Sequence, residues 1–225
     1  MGRIGKAYRA RFRALLQQVR ARRLDEGVQW LVRKAERLSS QQMVPVEVAL
    51  TQVCESLAAK PRFREAHSRP PTARFLCDAG LGGLARWLRA AGYETFWRAD
   101  IGDDELLQEA RRTSATVLTT DSMMMERRVL RDGIIPALWL PPTLGIPEQL
   151  GMVFREYGLR VGQPRCMSCG GELRHGEKEA LRERIPPKTY RWLDEYYVCS
   201  RCDKLFWHGT HWRRIVETLG ALKQA

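Results

Sequence analysis

Residues 74–93 read R-F-L-C-D-A-G-L-G-G-L-A-R-W-L-R-A-A-G-Y. The opening R-F-L-C is a short apolar run that stops at Asp78, as a buried strand does before a turn. Leu81–Ala91 is helical in composition, and Gly92 follows where a helix-ending glycine belongs. Tyr93–Trp97 then returns to strand character. A strand, a helix and a second strand within about two dozen residues are the signature of a β-α-β unit, whose strands run parallel.

The same alternation continues downstream. Asp103–Thr113 is predicted helical, with acidic residues at its N-terminal end where the helix dipole favours them. Ala115–Thr119 is a third strand leading to Asp121, Ser122–Arg131 a helix, Ile134–Leu140 a strongly apolar fourth strand and Pro147–Tyr157 a last helix. Strands alternating with helices predict an α/β fold, a three-layer domain around a mostly parallel sheet. Upstream, residues 3–38 hold helix formers, with Ile4, Tyr8, Phe12, Leu15, Leu16 and Val19 at spacings of three, four and seven. Gly27 is read as a break, and Pro45 as the first turn of a further helix running to about Ala59. Residues 60–73 combine prolines and charge without periodicity, as a linker does.

At the other end lie two Cys-x-x-Cys pairs, Cys166/Cys169 and Cys199/Cys202, with twenty-nine residues between them. Four thiolates favour tetrahedral Zn²⁺ and leave no open coordination position, so the expected ion is structural. Disulfides and redox chemistry are the alternatives. The basic N-terminus has no apolar signal-like stretch, which favours a reducing compartment, expected to be the cytoplasm. Cys54 and Cys77 stand alone and are expected to be buried small residues. The expected organisation is a basic helical extension (1–59), a linker (60–73), an α/β domain (74–160) and a zinc ribbon with a C-terminal helix (161–225).

The 225-residue chain has a net charge of +12 and a pI near 9.9. Residues 1–73 carry 15 Lys and Arg against 6 Asp and Glu, residues 74–160 carry 11 against 12, and residues 161–225 carry 12 against 8. The excess sits on the flanks, which points to a polyanionic partner held beside a neutral, acid-bearing middle. No apolar run approaches the length of a membrane span, so no membrane partner is expected.

In open α/β sheets the functional site lies beyond the carboxyl ends of the strands. Asp78 and Asp121 follow two strands, while Asp103 and Asp104 open a helix after another. Singly, each is a turn former or a helix cap. Together they form a hard-oxygen set suited to Mg²⁺ or Mn²⁺, ions that activate water and neutralise a phosphodiester. No G-x-x-x-x-G-K-[ST], G-x-G-x-x-G or G-x-S-x-G motif occurs, which argues against nucleotide-binding loops and serine hydrolases.

F-L-C-D-A-G-L-G-G-L-A-R-W-L-R-A-A-G-Y, D-D-E-L-L-Q-E-A and V-L-T-T-D, with C-M-S-C-G-G-E-L, I-P-P, Y-V-C-S-R-C and W-H-G-T-H-W after them, resemble the Mut-seven-C ribonuclease family, a branch of the PIN-like nucleases. The resemblance spans roughly residues 74–215. It implies a PIN-like domain followed by a zinc ribbon, and metal-dependent RNA cleavage by Asp78, Asp103 and Asp121, with Asp104 as a fourth acid. The family pattern often has a basic residue between the last Thr and the Asp of the third-strand motif, where this chain has Thr120.

The expected function is therefore a metal-dependent endoribonuclease. The alternative is a non-catalytic RNA-binding protein, tRNA- or ribosome-associated, that uses the ribbon and the basic helices. A third reading gives residues 1–59 to self-association or to a protein partner of a regulated nuclease. Arg86 and Arg89 are candidate RNA contacts or solvated residues, and Trp87 and Leu88 are expected in the core. His208 and His211 are expected to be structural or to touch RNA beside Trp207 and Trp212, and Met123–Met125 to be helix packing.

Overall fold

Strand β1 (Arg74–Cys77) turns alternate side chains to opposite faces, and the two faces build two cores. Phe75 and Cys77 join one cluster and Leu76 the other. In the computed structural model, which describes residues 3–19, 21–58 and 74–221, this strand sits inside a four-stranded sheet of order β2-β1-β3-β4. β2 is Glu94–Phe96, β3 Thr116–Thr119 and β4 Ala137–Trp139. All pairings are parallel, with Leu76 opposite Phe96 and Val117, and Thr119 opposite Trp139.

Helices cover both faces, as parallel strands require. On the Phe75 face lie α4 (Gly82–Ala90), entered through a 3₁₀ turn at Ala79–Leu81, and α7 (Ile146–Tyr157). Leu84, Leu88, Leu150 and Val153 fill this layer with Leu118 and Leu138. Helix α5 (Asp103–Thr113) packs Leu106 and Ala110 on the Leu76 and Val117 face. The predicted helix over Ser122–Arg131 is instead a 3₁₀ turn at Met124–Glu126 and a short α6 (Arg128–Arg131), with Arg127 extended between them. Asp121 starts the interruption by accepting the Met123 N–H at 2.7 Å, the local side-chain bond that competes with a helix. Met124 is buried and Met123 is exposed, so only part of the methionine run is packing. The fourth strand is shorter than predicted, because Pro136 offers no N–H to the ladder.

The N-terminal helices are α1 (Arg3–Gln18), α2 (Leu24–Gln42) and α3 (Val46–Ala58). Tyr8, Phe12 and Leu15 of the α1 stripe meet Leu31, Leu50 and Val53 of the other two. The expected break at Gly27 falls earlier, since α1 ends at Gln18 and α2 begins at Leu24. Gly27 lies inside α2, where an added Cβ would stand 2.8 Å from Leu16 Cδ1. Close helix approach explains this glycine.

These helices dock beside β4 and α7. The Tyr8 ring meets Trp139 edge-on at 5.0 Å, Arg155 pairs with Glu55 at 2.9 Å, and Arg11 pairs with Glu156. The apolar stripe of α1 is thus buried within the chain. The predicted linker at 60–73 lies outside the described residues.

The C-terminal part is an antiparallel sheet of β5 (Leu173–Gly176), β6 (Tyr196–Cys199) and β7 (Leu205–Trp207). A short α8 (Pro187–Trp192) lies between β5 and β6. Leu181, Ile185 and Tyr196 give the ribbon a small core of its own. Helix α9 (Thr210–Ala221) returns to the α/β layer, where Ile215 and Leu219 are buried. Among the described residues no helix is long and apolar enough to cross a membrane.

Candidate active site and metal centre

The chain leaves β1 toward β2 and leaves β3 toward β4, on opposite sides of the β1–β3 pair. In open α/β sheets such a divergence marks where a crevice forms, at the carboxyl ends of the two strands. Asp78 stands at the end of β1, where Oδ1 accepts the Ala79 N–H at 2.5 Å. Thr119, fully buried at the end of β3, donates its hydroxyl to Asp78 Oδ2 at 2.7 Å. The same hydroxyl oxygen accepts the Asp121 N–H at 2.9 Å. One threonine thereby ties together the two acids that follow the central strands. Nothing in the sequence pattern singles it out except its place two residues before Asp121.

Asp103 and Asp104 do open α5, as predicted, and both face Arg127. Arg127 Nη2 lies 3.5 Å from Asp103 Oδ2, and Nη1 binds Asp104 Oδ1. Its pKa is raised, chiefly by the hydrogen bond to Asp104 and then by the charges of Asp104, Asp103 and Asp121. Like charges at a strand edge need a cation between them, and here a guanidinium supplies one. Sequence reading missed Arg127 because the predicted helix pointed it nowhere in particular. It brings positive charge close to Asp121, in a motif where Thr120 offers none; the Thr120 carbonyl instead accepts the Trp139 indole N–H at 3.1 Å. The acids do not converge as a tight trio. Among the described residues, the four cysteines are the one group of three or more His, Cys, Asp or Glu with ligand atoms within 4.8 Å of each other.

Those cysteines sit on two matched knuckles. Gly170 N–H returns to the Cys166 carbonyl at 2.7 Å, and Asp203 N–H to the Cys199 carbonyl at 3.0 Å. Gly170 and Asp203 both have positive φ, 78° and 57°. The Cys166–Cys202 and Cys169–Cys199 sulfurs are 3.6 and 3.4 Å apart. A tetrahedron with Zn–S bonds of about 2.3 Å has edges of about 3.8 Å, so the donor set fits zinc with little movement. Burial opposes ionisation of Cys199, yet the N–H groups of Cys202 and Arg201 aimed at its sulfur bring its pKa down to about 6. Cys166 is pushed up to about 12, chiefly by burial. Cys54 and Cys77 are buried and apart from this cluster, as expected.

Arg89 is a correction to the sequence reading. It is 3% exposed and cannot present itself to an RNA phosphate. Its Nε donates to the Thr95 carbonyl at 2.8 Å, and Nη1 donates to the Met167 and Ser168 carbonyls at 3.1 and 2.9 Å. Arg89 therefore ties α4 to β2 and to the first cysteine knuckle, with burial lowering its pKa. Arg86, one helical turn earlier, is exposed. Leu88 is buried and Trp87 packs against the core. His208 is exposed and faces Glu195 at 3.4 Å, while the His211 side chain lies outside the described residues.

A parallel α/β sheet with aspartates beyond its central strands is thus joined to a ribbon whose four cysteines could hold a metal ion. The chain belongs to the Mut7-C RNAse domain family, whose sequence model matches residues 73–219. Comparison with curated proteins finds no match, and comparison with solved structures finds none either.

Proposed function

We propose that this protein is a divalent-metal-dependent endoribonuclease, with Asp78, Asp121 and Asp103 as its acidic set and Asp104 beside them. The supporting observation is the Thr119 hydroxyl shared between Asp78 and Asp121 at the crevice of a ribonuclease-family sheet. Asp78 and Asp121 are hard oxygen donors of the kind Mg²⁺ and Mn²⁺ take. A bound ion of this kind supplies an activated water and charge neutralisation at the scissile phosphodiester. The chain's own part is to hold Asp78 through Thr119 and Ala79, and to keep Asp103 and Asp104 balanced by Arg127 until substrate and ion arrive. In this reading residues 74–160 are the nuclease domain, and residues 161–225 are a zinc-stabilised ribbon. The basic flanks, including residues 1–59, attract RNA, and the thiol-rich ribbon works in the reducing cytoplasm.

The test is cleavage of single-stranded RNA with Mg²⁺ or Mn²⁺ by Asp78→Asn and Asp121→Asn proteins whose melting curves match the parent. Loss of cleavage in both is expected; undiminished cleavage in both would sink the acidic site. A second reading, a non-catalytic RNA-binding protein, is favoured by the pairing of Asp103 and Asp104 with Arg127. It predicts salt-dependent binding without turnover under any divalent ion.

A further inference from the structure

A cleft of about 960 Å³ opens between α4 and the ribbon, away from the acids. Its walls carry Arg86, Arg165, Tyr197, Trp207, His208 and Trp212, and among the described residues no Asp or Glu lines it. The His208 and Trp212 rings stack at 5.1 Å with 17° between planes, and Tyr197 lies 5.1 Å from His208. Tyr197, Trp207 and Trp212 are half-buried, and Trp207 and Trp212 also pack against the two cores beneath the cleft. Arg165 spends its Nε on the Gly170 carbonyl, whereas Arg86 has no hydrogen-bond or ion-pair partner among the described residues. Some exposed arginines, Arg98, Arg112 and Arg184 among them, are balanced by carboxylates, whereas Arg33, Arg37, Arg111 and Arg174 share with Arg86 the lack of an ion pair among the described residues.

Glu195, the acid nearest these rings, is taken up by the Tyr197 hydroxyl and His208, each at 3.4 Å. Aromatic faces beside unbalanced arginines select a ligand that is flat, apolar on its faces and anionic at its edge. We propose that this cleft binds an unpaired nucleotide of the RNA, its base stacked among Tyr197, Trp207, His208 and Trp212 and its phosphate held by Arg86 and Arg165. Stacking on aromatic rings requires a base freed from its helix, so the cleft selects single strands. Asp78 lies at the strand ends, and the chain runs back through the 3₁₀ turn and α4 to Arg86. At helical rises this places the cleft on the order of 12 Å from the acids, within reach of one continuous strand. The cleft then sets which stretch of RNA lies across the crevice. This inference rests on RNA being the substrate.

The experiment uses the full chain with Asp78→Asn, zinc-loaded and without added Mg²⁺ or Mn²⁺. Anisotropy of a labelled eight-nucleotide single-stranded RNA reads the affinity, with AMP as competitor and a blunt duplex of equal length for comparison. Arg86→Ala and His208→Ala, both at exposed positions, are each expected to weaken single-strand binding roughly tenfold, the size of a lost base stack or phosphate contact. AMP should compete in the parent and fail in these variants. Trp192→Ala, at a tryptophan 82% exposed outside the cleft, should bind as the parent does. Unchanged binding in both cleft variants, or equal losses for the duplex, overturns the proposal even if the wild-type chain cleaves RNA. Binding that depends on the cleft in a chain that never cleaves RNA supports the cleft and refutes the nuclease reading instead.

Discussion

Replacing Arg89 by methionine keeps the length of the side chain and removes its guanidinium. Three carbonyls, of Thr95, Met167 and Ser168, lose their donor together. Hydrogen bonds to a charged group contribute about 1.5–3 kcal/mol each. The three here share one cation whose burial is itself unfavourable, so they fall short of simple addition. Each buried carbonyl left unpaired costs about 1–3 kcal/mol, and allowing for that shortfall we expect about 3–5 kcal/mol for Arg89→Met. For a chain of this size about 2–4 °C of melting temperature accompanies each kcal/mol, so the melt should fall by about 6–20 °C. Two of the acceptors lie in the first cysteine knuckle, which should then release zinc faster to a chelator. Gly170 shares this contact. It has φ of +78°, and an added Cβ would stand 3.3 Å from both Arg89 Nε and the Thr95 carbonyl oxygen. Calorimetry of the zinc-loaded protein gives the stability, and RNA anisotropy gives the binding. A variant of parental stability with weakened RNA binding would refute the tie and return Arg89 to the RNA surface.

Thr119→Val, nearly isosteric, should leave the Asp121 N–H unpaired and Asp78 Oδ2 without its donor, costing about 2–3 kcal/mol in a denaturant titration. Cleavage should fall about 10- to 100-fold, mainly in kcat, as for residues that orient ligands from behind, with recovery in Thr119→Ser; equal effects of Val and Ser would refute a positioning role for the hydroxyl. Arg127→Met should free Asp103 and Asp104 from their internal cation, so Mn²⁺ titrated into the chain should bind a few-fold more tightly. Unchanged or weaker Mn²⁺ binding would show that the guanidinium does not compete for this site.

Much of the fold was legible in local pattern. The helix at Asp103–Thr113 and the strand at Arg74–Cys77 lie where spacing placed them, because their apolar periods match the faces they bury. The interruption at Met124–Arg127 was not legible. Asp121 captures the Met123 N–H there, and a side-chain bond to the backbone competes with helix without altering the apolar spacing. The Arg86 and Arg89 pair shows the same limit. One turn apart on a helix, they look alike in sequence, yet one is exposed and the other is sealed under the first cysteine knuckle.

The residues alone determined the order of strands and helices, the two thiol pairs and the family likeness, because period, turn chemistry and ligand spacing are local properties. Tertiary structure decided that the N-terminal helices dock on β4 and α7, that Thr119 joins the acids of two strands, that Arg127 balances two more, and that aromatic residues of the ribbon face Arg86 across a cleft. Each of those contacts joins segments brought together only by the common core, and no spacing along the chain encodes which side chains meet when it closes.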